Sequence, residues 1–348
     1  MNVADFDFAL PPRLIAQTPL PERGASRLLV LHKDSGQLEH RDVSRLPEFL
    51  RAGDLIVVND TKVFPARLLG MRVPSGGAVE CLLLARRDDD RWDALVHPGQ
   101  KLQPGARMIF QGAERMVHGE VLDRHFHGRR TVRLWADAGQ DLDEAIDEIG
   151  HVPLPPYIKR QDERTDRDRY QTVYARERGS VAAPTAGLHF TPEIFQALDA
   201  KGVERTAITL HVGYGTFQPV RVTEVEAHAV DPERFSIGDT AADTINRARR
   251  EGRRIIAVGT TTTRALEFAA RAGRGIIAPQ SGRTDLFIYP GFEFRVISGL
   301  MTNFHLPMSS LLMLVSAFGG RERVLAAYRD AVAEHYRFYS YGDAMLIV

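Results

Sequence analysis

The chain has 348 residues, of which 44% are hydrophobic, and its 45 lysines and arginines equal its 45 aspartates and glutamates. This length predicts about two domains with a sizeable core, and zero net charge excludes a global field that would attract a polyanion. The single cysteine, Cys81, excludes an internal disulfide bond and a zinc site built from several cysteines.

No segment of the sequence is typical of a secretion signal or a membrane span. The N-terminal stretch MNVADFDF contains acidic residues early and lacks an apolar core. The longest apolar stretch, 311–318, is far too short to cross a bilayer. We therefore expect a soluble, cytoplasmic protein.

Residues 1–64 contain two apolar segments that predict strands, at 27–32 and 54–58. The second is apolar after its first residue, as is typical of a strand that is buried on both faces. Asn59 and Asp60 follow it directly. In open α/β sheets ligands bind at the carboxyl ends of strands, so both residues are candidates for binding, although a plain turn explains them equally well.

Between residues 65 and 150 the pattern changes to short segments separated by turns with glycine and proline. Strands are predicted at 66–73, 78–86, 92–97, 106–110, 116–122 and 131–136. This spacing is typical of an all-β barrel or sandwich. Because both flanks resemble α/β structure, we predict an all-β domain at 65–150 inserted into a discontinuous α/β domain formed by 1–64 and 151–348.

The most basic run of the chain, 124–130, lies in this all-β block and includes a phenylalanine. Such a run suits contact with RNA phosphates and stacking on a base, although a solvated hairpin tip has the same composition. The RNA-binding candidates are Lys101, Arg124, Arg129 and Arg130. His125 and His127 would share a strand face, but no third ligand is evident, so we predict no metal site.

The stretch 180–217 combines a helix and a strand with two loops of small residues. Thr191 and Gly202 are suited to the two ends of the helix. The loop before the helix carries His189, and the loop after the strand carries His211. If the strand returns beside the first loop, both histidines face one crevice, which we predict to be the active site. Lone histidines and glycine turns also occur often in purely structural roles.

The remaining chain alternates strands and helices. Helices are predicted at 240–251, 265–272, 309–318 and 321–336, and strands at 254–258 and 294–298, with an irregular polar region at 224–236. Glycine and threonines at 259–263 separate a strand from a helix, which is a typical anion-binding layout without the lysine of a P-loop. Polar residues thus follow three strands, at 59–60, 260–264 and 303–305, which predicts a crevice at the carboxyl edge of a sheet.

Nine motifs occur in a characteristic order along the chain: Asn59-Asp60-Thr61, VPLPPYI, YQTVYAR, APTAGLHF, LHVGYGTFQPV, VGTTTTRALE, IYPGFEF, TNFHLP and YRFYSYGDAM. Together they resemble the S-adenosylmethionine:tRNA ribosyltransferase-isomerase family of queuosine biosynthesis, and the resemblance covers essentially the whole chain. The family usually shows a Met-His pair where Val230 and Asp231 stand, so no catalytic histidine is carried over to that place.

This resemblance implies a three-layer α/β/α domain with an inserted all-β barrel-like domain. It also implies transfer and isomerisation of the ribosyl group of S-adenosylmethionine onto 7-aminomethyl-7-deazaguanine at the tRNA wobble position. The products would be epoxyqueuosine-tRNA, adenine and methionine. S-adenosylmethionine and tRNA would be the partners, no metal or further cofactor is implied, and we expect a monomer.

Proton transfers in such a reaction need groups that titrate near neutral pH, and histidine suits them. The predicted catalytic residues are His189, His211 and His305. The predicted substrate-binding residues are Asn59, Asp60, Arg67, Phe190, Gly213, Gly215, Thr216, Phe217, Thr260, Arg264, Tyr289 and Asn303. Among them, Arg264 would hold the methionine carboxylate, and the aromatic residues would face adenine or the sulfonium.

Two other functions remain open from the sequence. An S-adenosylmethionine-dependent RNA methyltransferase should show a glycine-rich loop after an early strand, whereas this chain has Asn-Asp-Thr-Lys at 59–62. A non-catalytic RNA-binding protein should be strongly basic, whereas the net charge is zero. The products formed from S-adenosylmethionine would separate all three functions.

Overall fold

The computed structural model describes residues 1–348 except the side chain of His127. Among the described residues, no group of three His, Cys, Asp or Glu side chains could hold a metal ion. The side chain of His127, which was weighed with His125 as a metal ligand, is not among those described. No described helix is long and apolar enough to span a membrane.

The regular elements comprise seventeen strands and eight α-helices in the described chain. The strands are β1 (Arg27–Leu31), β2 (Leu38–Asp42), β3 (Leu55–Asn59), β4 (Thr61–Val63), β5 (Arg67–Val73), β6 (Ala78–Arg86), β7 (Arg91–His97), β8 (Arg107–Gln111), β9 (Met116–Arg124), β10 (Arg129–Ala136), β11 (Glu177–Ser180), β12 (Glu204–Leu210), β13 (Glu233–Ile237), β14 (Ile255–Val258), β15 (Gln280–Thr284), β16 (Gly299–Asn303) and β17 (Ala344–Ile347). The helices are α1 (Leu46–Phe49), α2 (Leu142–Ile149), α3 (Asp166–Arg169), α4 (Pro192–Ala200), α5 (Asp239–Arg250), α6 (Thr260–Ala272), α7 (Ser310–Gly319) and α8 (Arg321–Ala333).

Nine strands form one mixed sheet in the order β15-β13-β12-β3-β14-β16-β17-β1-β2. Its centre is parallel, because β3 pairs in parallel with β12 and with β14, and β14 pairs in parallel with β16. The edge strands β15 and β2 are antiparallel to their neighbours. The carboxyl ends of the four central strands therefore meet at one edge of the sheet.

Strand β3 is buried at all five positions because it has an apolar core on each face. Leu55 and Val57 enter the core that α5, α6, α7 and α8 cover. Ile56 and Val58 enter a second core with residues of α1 and α4. Alternate residues of a strand point to opposite faces, so a strand between two cores must be apolar throughout. The predicted doubly buried strand is confirmed, and the protein is a mixed α/β protein.

Strands β5 to β10 close into a six-stranded barrel with the order β10-β7-β6-β5-β8-β9. The barrel has its own core, in which Trp92 and Phe110 are buried, and Ala145 and Ile146 of α2 cover part of it. Cys81 is buried there as a small core residue, and burial raises the pKa of its thiol to about 12. The predicted all-β barrel is therefore confirmed as a closed barrel.

The strand predicted at 294–298 is wrong, since the strand is β16 at Gly299–Asn303. In the segment before it, the backbone N–H groups of Arg295, Val296 and Ile297 donate to the carboxylate of Glu267 instead of to a neighbouring strand. This side chain of α6 is fully buried, and its burial raises the pKa of the carboxyl group. Residues 295–297 therefore form a loop and not a strand, because their backbone N–H groups donate to the carboxylate of Glu267.

The start of α6 also differs from the sequence-based prediction. The helix begins at Thr260 rather than at 265. The hydroxyls of Thr262 and Thr263 donate back to the carbonyls of Val258 and Gly259, at 2.7 and 3.1 Å. The threonines that suggested a loop therefore form the first turn of the helix. A separate difference concerns residues 224–236, which were predicted to be irregular but contain part of β13.

Replacement of Glu267 by alanine should be strongly destabilising, because three backbone N–H groups, two of them buried, would lose their acceptor. We expect the free energy of unfolding to fall by about 3 to 5 kcal/mol, since each orphaned donor costs about 1 to 3 kcal/mol. Urea denaturation measures this, with the exposed Glu322→Ala in α8 as the matched control. Glu267→Gln retains one acceptor oxygen and should lose less, and equal stability of Glu267→Ala and the control would contradict the assignment.

Candidate active site

A pocket opens where the central strands end, and we call it the sheet-edge pocket. The residue after β14 is Gly259, and Thr302 and Asn303 end β16. The loops that follow β12 complete the same wall. The lining residues are Tyr157, Ala182, Ala183, Pro184, Thr185, Ala186, Val212, Thr216, Phe217, Gly259, Thr260, Thr261, Thr302, Asn303, His305, Leu311, Tyr339 and Ser340. The predicted crevice at the carboxyl edge is therefore present.

The N-terminus of α6 lies in the wall of this pocket, and its first residues have backbone N–H groups without a partner inside the helix. Gly259 has a φ of 93°, a conformation that a residue with a Cβ rarely adopts, and it lets the chain turn sharply from strand into helix. Thr260 and Thr261 follow it on the pocket wall. Free N–H groups at the start of a thirteen-residue helix favour an anion.

Asn59 lies behind this wall and is fully buried. Its side-chain amide donates to the carbonyl of Leu210 at 2.9 Å and accepts from the N–H of the same residue at 2.9 Å. It also reaches the hydroxyl of Thr261 at 3.4 Å. The side chain predicted to bind substrate therefore joins β3 to the end of β12 and to α6.

The three predicted catalytic histidines lie in three different places. His305 lines the sheet-edge pocket, and its Nε2 is 2.8 Å from the hydroxyl of Thr302. His189 lines a neighbouring hollow that includes Arg23, while its Nε2 is 3.0 Å from the amide nitrogen of Asn303 on the pocket wall. His211 lines a third hollow, and its Nδ1 is 2.8 Å from the hydroxyl of Thr61.

The expectation that His189 and His211 share one crevice is wrong, and strand geometry explains why. Leu210 and Val212 point into a core of the large sheet. Because successive side chains alternate, His211 points to the opposite side, and its N–H donates to the carbonyl of Arg234 at 2.9 Å. Val212 reaches the sheet-edge pocket, whereas the side chain of His211 leaves it.

Burial keeps all three imidazoles neutral at physiological pH. It lowers the pKa of His189 and of His211 to about 4, with smaller contributions from the positive charges of Arg23 and Arg234 respectively. It lowers the pKa of His305 to about 3. A neutral imidazole can accept a proton, and a buried imidazolium readily gives it away again.

Two tyrosines that received no predicted role form one side of the pocket together with Phe217, which was predicted to bind substrate. The ring of Tyr157 meets the ring of Tyr339 edge to face, with centroids 3.7 Å apart, and it lies 6.1 Å from the ring of Phe217. The hydroxyl of Tyr157 hydrogen-bonds Ser340. These tyrosines stand in the motifs VPLPPYI and YRFYSYGDAM, which carried the family resemblance but gave no sign of which side chain faces the pocket.

Glu233 is a second residue that sequence reasoning missed. It is buried and forms an ion pair with Arg264, with Nη1 and Oε2 2.7 Å apart. Its other oxygen accepts from the N–H of Gly213 and from the hydroxyl of Thr216, both at 2.9 Å. Arg264 therefore lies outside the pocket lining and holds the pocket loop 213–217 through Glu233.

Four other candidates lie outside the pocket lining among the described residues. Phe190 is fully buried and stacks on Phe195 at 5.0 Å, where it cannot reach a ligand, so its predicted contact with adenine is corrected. The others contact protein groups: Asp60 is hydrogen-bonded by Thr209, Arg67 pairs with Glu80, and Tyr289 packs on Phe287. Gly213 and Gly215 belong to the loop that Glu233 holds, and a Cβ on Gly215 would clash with Asp231.

The basic run in the barrel is largely engaged in protein contacts. Arg130 is 2% exposed and donates to the carbonyls of Leu102, Arg129 and Gly99, so its predicted contact with RNA is corrected. Arg129 forms an ion pair with Asp231. Lys101 and Arg124 are exposed.

Comparison with known proteins identifies relatives over the whole chain. Residues 3–347 match the family model described as queuosine biosynthesis protein. Two proteins named S-adenosylmethionine:tRNA ribosyltransferase-isomerase, from Heliobacterium modesticaldum and Desulfitobacterium hafniense, are 52% and 50% identical over 348 residues, which is 100% of each chain. The crystal structure of S-adenosylmethionine tRNA ribosyltransferase from Thermotoga maritima is 38% identical with a TM-score of 0.56, covering 99% of this chain and 100% of that one.

The stability of the protein should fall as the pH is lowered from 6.5 toward about 4. In that range the unfolded chain binds protons on these histidines whereas the folded chain does not, so their contribution is complete above pH 6.5 and is lost below it. We expect the thermal midpoint of His305→Gln to depend less steeply on pH than that of the wild type. The exposed His97→Gln should retain the wild-type slope, and equal slopes for all three proteins would contradict the assignment.

Glu233→Ala should lower the free energy of unfolding by about 3 to 5 kcal/mol, because it leaves the buried guanidinium of Arg264 without a counter-charge. A double-mutant cycle with Arg264→Ala, measured by urea denaturation, tests the coupling. The double variant should lose less stability than the sum of the two single variants. Additive losses would show that the two side chains do not act together.

Proposed function

The chain belongs to the queuosine biosynthesis family of S-adenosylmethionine:tRNA ribosyltransferase-isomerases, and we propose that its sheet-edge pocket binds S-adenosylmethionine. The enzyme transfers the ribosyl group of S-adenosylmethionine to 7-aminomethyl-7-deazaguanine at the wobble position of tRNA and isomerises it. The products are epoxyqueuosine-tRNA, adenine and methionine. One observation carries the assignment of the pocket: a helix N-terminus, an aromatic cluster and a buried histidine line the same wall.

Each of these three features matches one part of the nucleoside. The N-terminus of α6, with Thr260 and Thr261, suits the methionine carboxylate, because its free N–H groups and dipole favour negative charge. The rings of Tyr157, Phe217 and Tyr339 suit the sulfonium or the adenine, through cation–π contact or stacking. This arrangement replaces Arg264 as the holder of the carboxylate, since Glu233 already occupies that guanidinium.

His305 is the residue best placed to move a proton in the pocket. The sulfonium acidifies the neighbouring ribose methylene, and a neutral imidazole can take that proton. Thr302 occupies Nε2, which leaves Nδ1 for the substrate. The resulting imidazolium is disfavoured by burial and returns its proton readily, and the departing adenine is a suitable acceptor.

His189 acts through Asn303 rather than directly. Its Nε2 accepts from the amide nitrogen of Asn303, and the oxygen of that amide is left to accept from a ribose hydroxyl in the pocket that Asn303 lines. The amide also donates to the carbonyl of Tyr339 at 3.2 Å, which fixes the orientation further. His189 is therefore a positioning residue, whereas His211 lies on the far side of the strand.

The same proposal includes the remaining expectations about the protein. Residues 65–150 would be a domain inserted into a three-layer α/β/α domain made of 1–64 and 151–348, which is supported by cores on both faces of the large sheet and a separate barrel core. The reaction would need no cofactor beyond S-adenosylmethionine, because every step is a proton or group transfer. The enzyme would act as a monomer in the cytoplasm, where tRNA is modified.

The products released from S-adenosylmethionine test the function. We expect adenine and methionine when the protein is incubated with S-adenosylmethionine and tRNA that carries the aminomethyl base, as measured by liquid chromatography. S-adenosylhomocysteine would instead support an RNA methyltransferase. No product, with RNA binding retained, would support a non-catalytic RNA-binding protein.

His305→Gln should lower kcat for adenine release by about 100-fold or more, because general acid–base catalysis contributes that much. His97→Gln, on the barrel surface, is the matched control and should retain wild-type turnover. Isothermal titration with S-adenosylmethionine separates a loss of binding from a loss of chemistry. Wild-type kcat in His305→Gln would show that another group moves the proton.

A further inference from the structure

A second hollow lies between the barrel and the β13–β15 edge of the large sheet, and we call it the barrel–sheet hollow. Its arginines come from both parts of the protein: Arg86 and Arg87 from the barrel, and Arg234 and Arg283 from the sheet. His211 also lines it. The hollow shares Val212 with the sheet-edge pocket, but its four arginines do not line that pocket.

Two arginines and the neutral His211 stand in one row across the sheet edge. Arg234 in β13 is directly opposite Arg283 in β15 in the antiparallel register. The carbonyl of Arg234 accepts from the N–H of His211, which continues the row toward β12. Like charges that face each other across two strands destabilise a sheet, so this pairing opposes the stability of the free protein.

No carboxylate in the described part of the chain neutralises this pair. Arg234 and Arg283 are both exposed and form no ion pair among the described residues. The two carboxylates of the hollow are already engaged: Asp93 pairs with Arg87 at 2.7 Å, and Glu233 pairs with Arg264. Arg283 donates from Nη2 to the carbonyl of Pro232 at 3.4 Å, and the pair keeps further N–H donors for an anion from outside the protein.

The hollow and the sheet-edge pocket are neighbours along one strand end. Val212 lines both the hollow and the pocket, whereas His211 lines the hollow and not the pocket. An anion held by the arginine pair would thus lie on one side of a chain segment, with the bound nucleoside on the other. This separation suits a nucleotide whose base enters the pocket while its backbone stays outside.

We propose that Arg234 and Arg283 bind a backbone phosphate of the tRNA next to the modified base. Two guanidinium groups side by side present several N–H donors to one phosphate, a geometry that Arg provides and Lys does not. This inference rests on the proposed function, which supplies the RNA. It moves the predicted phosphate contact away from the 124–130 run, where Arg129 and Arg130 are engaged within the protein.

Alanine variants at the two positions test the proposal on the full-length enzyme and the modified tRNA. Each single variant should raise the Kd for tRNA roughly tenfold, as expected for the loss of a hydrogen bond to a charged group. The slope of log Kd against log salt should fall by about one for each arginine removed. Arg283→Lys should recover the salt slope but not the full affinity, because it retains the charge and loses the fork.

Arg329→Ala in α8 is the matched control, since this exposed arginine lies on a helix that packs against β1, far from β15 in the sheet order. It should bind tRNA as the wild type does. Thermal midpoints without RNA check folding, and those of Arg234→Ala and Arg283→Ala should not fall, because the substitutions remove a repulsion. Stabilisation by added tRNA should be smaller in both variants than in the wild type.

Wild-type affinity and salt slope in the double variant Arg234→Ala/Arg283→Ala would overturn the inference. An equal loss of tRNA affinity in Arg329→Ala and in the double variant would also overturn the inference, because the loss would then not depend on the position of the arginine. Adenine release by the wild-type enzyme reports separately on the proposed function. If the wild type releases adenine while the double variant binds tRNA normally, only the phosphate assignment fails.

Discussion

Parallel pairing of β3 with β12 and β14 is the constraint on which the rest of this structure depends. The two ladders bring the carboxyl ends of these strands to one edge, and the loops that follow them must share that edge. Asn59 reinforces the arrangement from within, because its buried amide holds both backbone groups of Leu210 and approaches Thr261. An orphaned amide at this depth is costly, so the loops keep a fixed separation.

The chemistry of the pocket follows from how deeply its polar groups are buried. His305 and His189 are neutral because solvent does not reach them, and each is oriented by one neighbour, Thr302 or Asn303. The loop with Thr216 is held in the same manner by a buried carboxylate, Glu233. Preorganised polar groups of this kind need little rearrangement when charge develops on a substrate.

Charge in this protein is informative only after its ion pairs are known. The run 124–130 contains three arginines and two histidines in seven residues, yet Arg130 is buried against three carbonyls and Arg129 is paired. Arg234 and Arg283 are distant in sequence and unremarkable in composition, but the register of an edge ladder sets them opposite each other. A polyanion is attracted to positive surface charge that no carboxylate of the protein neutralises.

Periodicity and turn residues in the sequence determined the mixed α/β class, the barrel strands and the doubly buried β3, because these depend on neighbours within a few residues. The ordered motifs determined the family. Only the tertiary structure decided which side chains reach the pocket: it set His305 and Tyr157 in the wall, turned His211 away by strand alternation, and assigned Arg264 to Glu233. Those outcomes depend on contacts between segments that are distant in sequence, such as the hydrogen bonds that the N–H groups of residues 295–297 donate to Glu267. The residues near each partner in the sequence do not indicate which distant group it will contact.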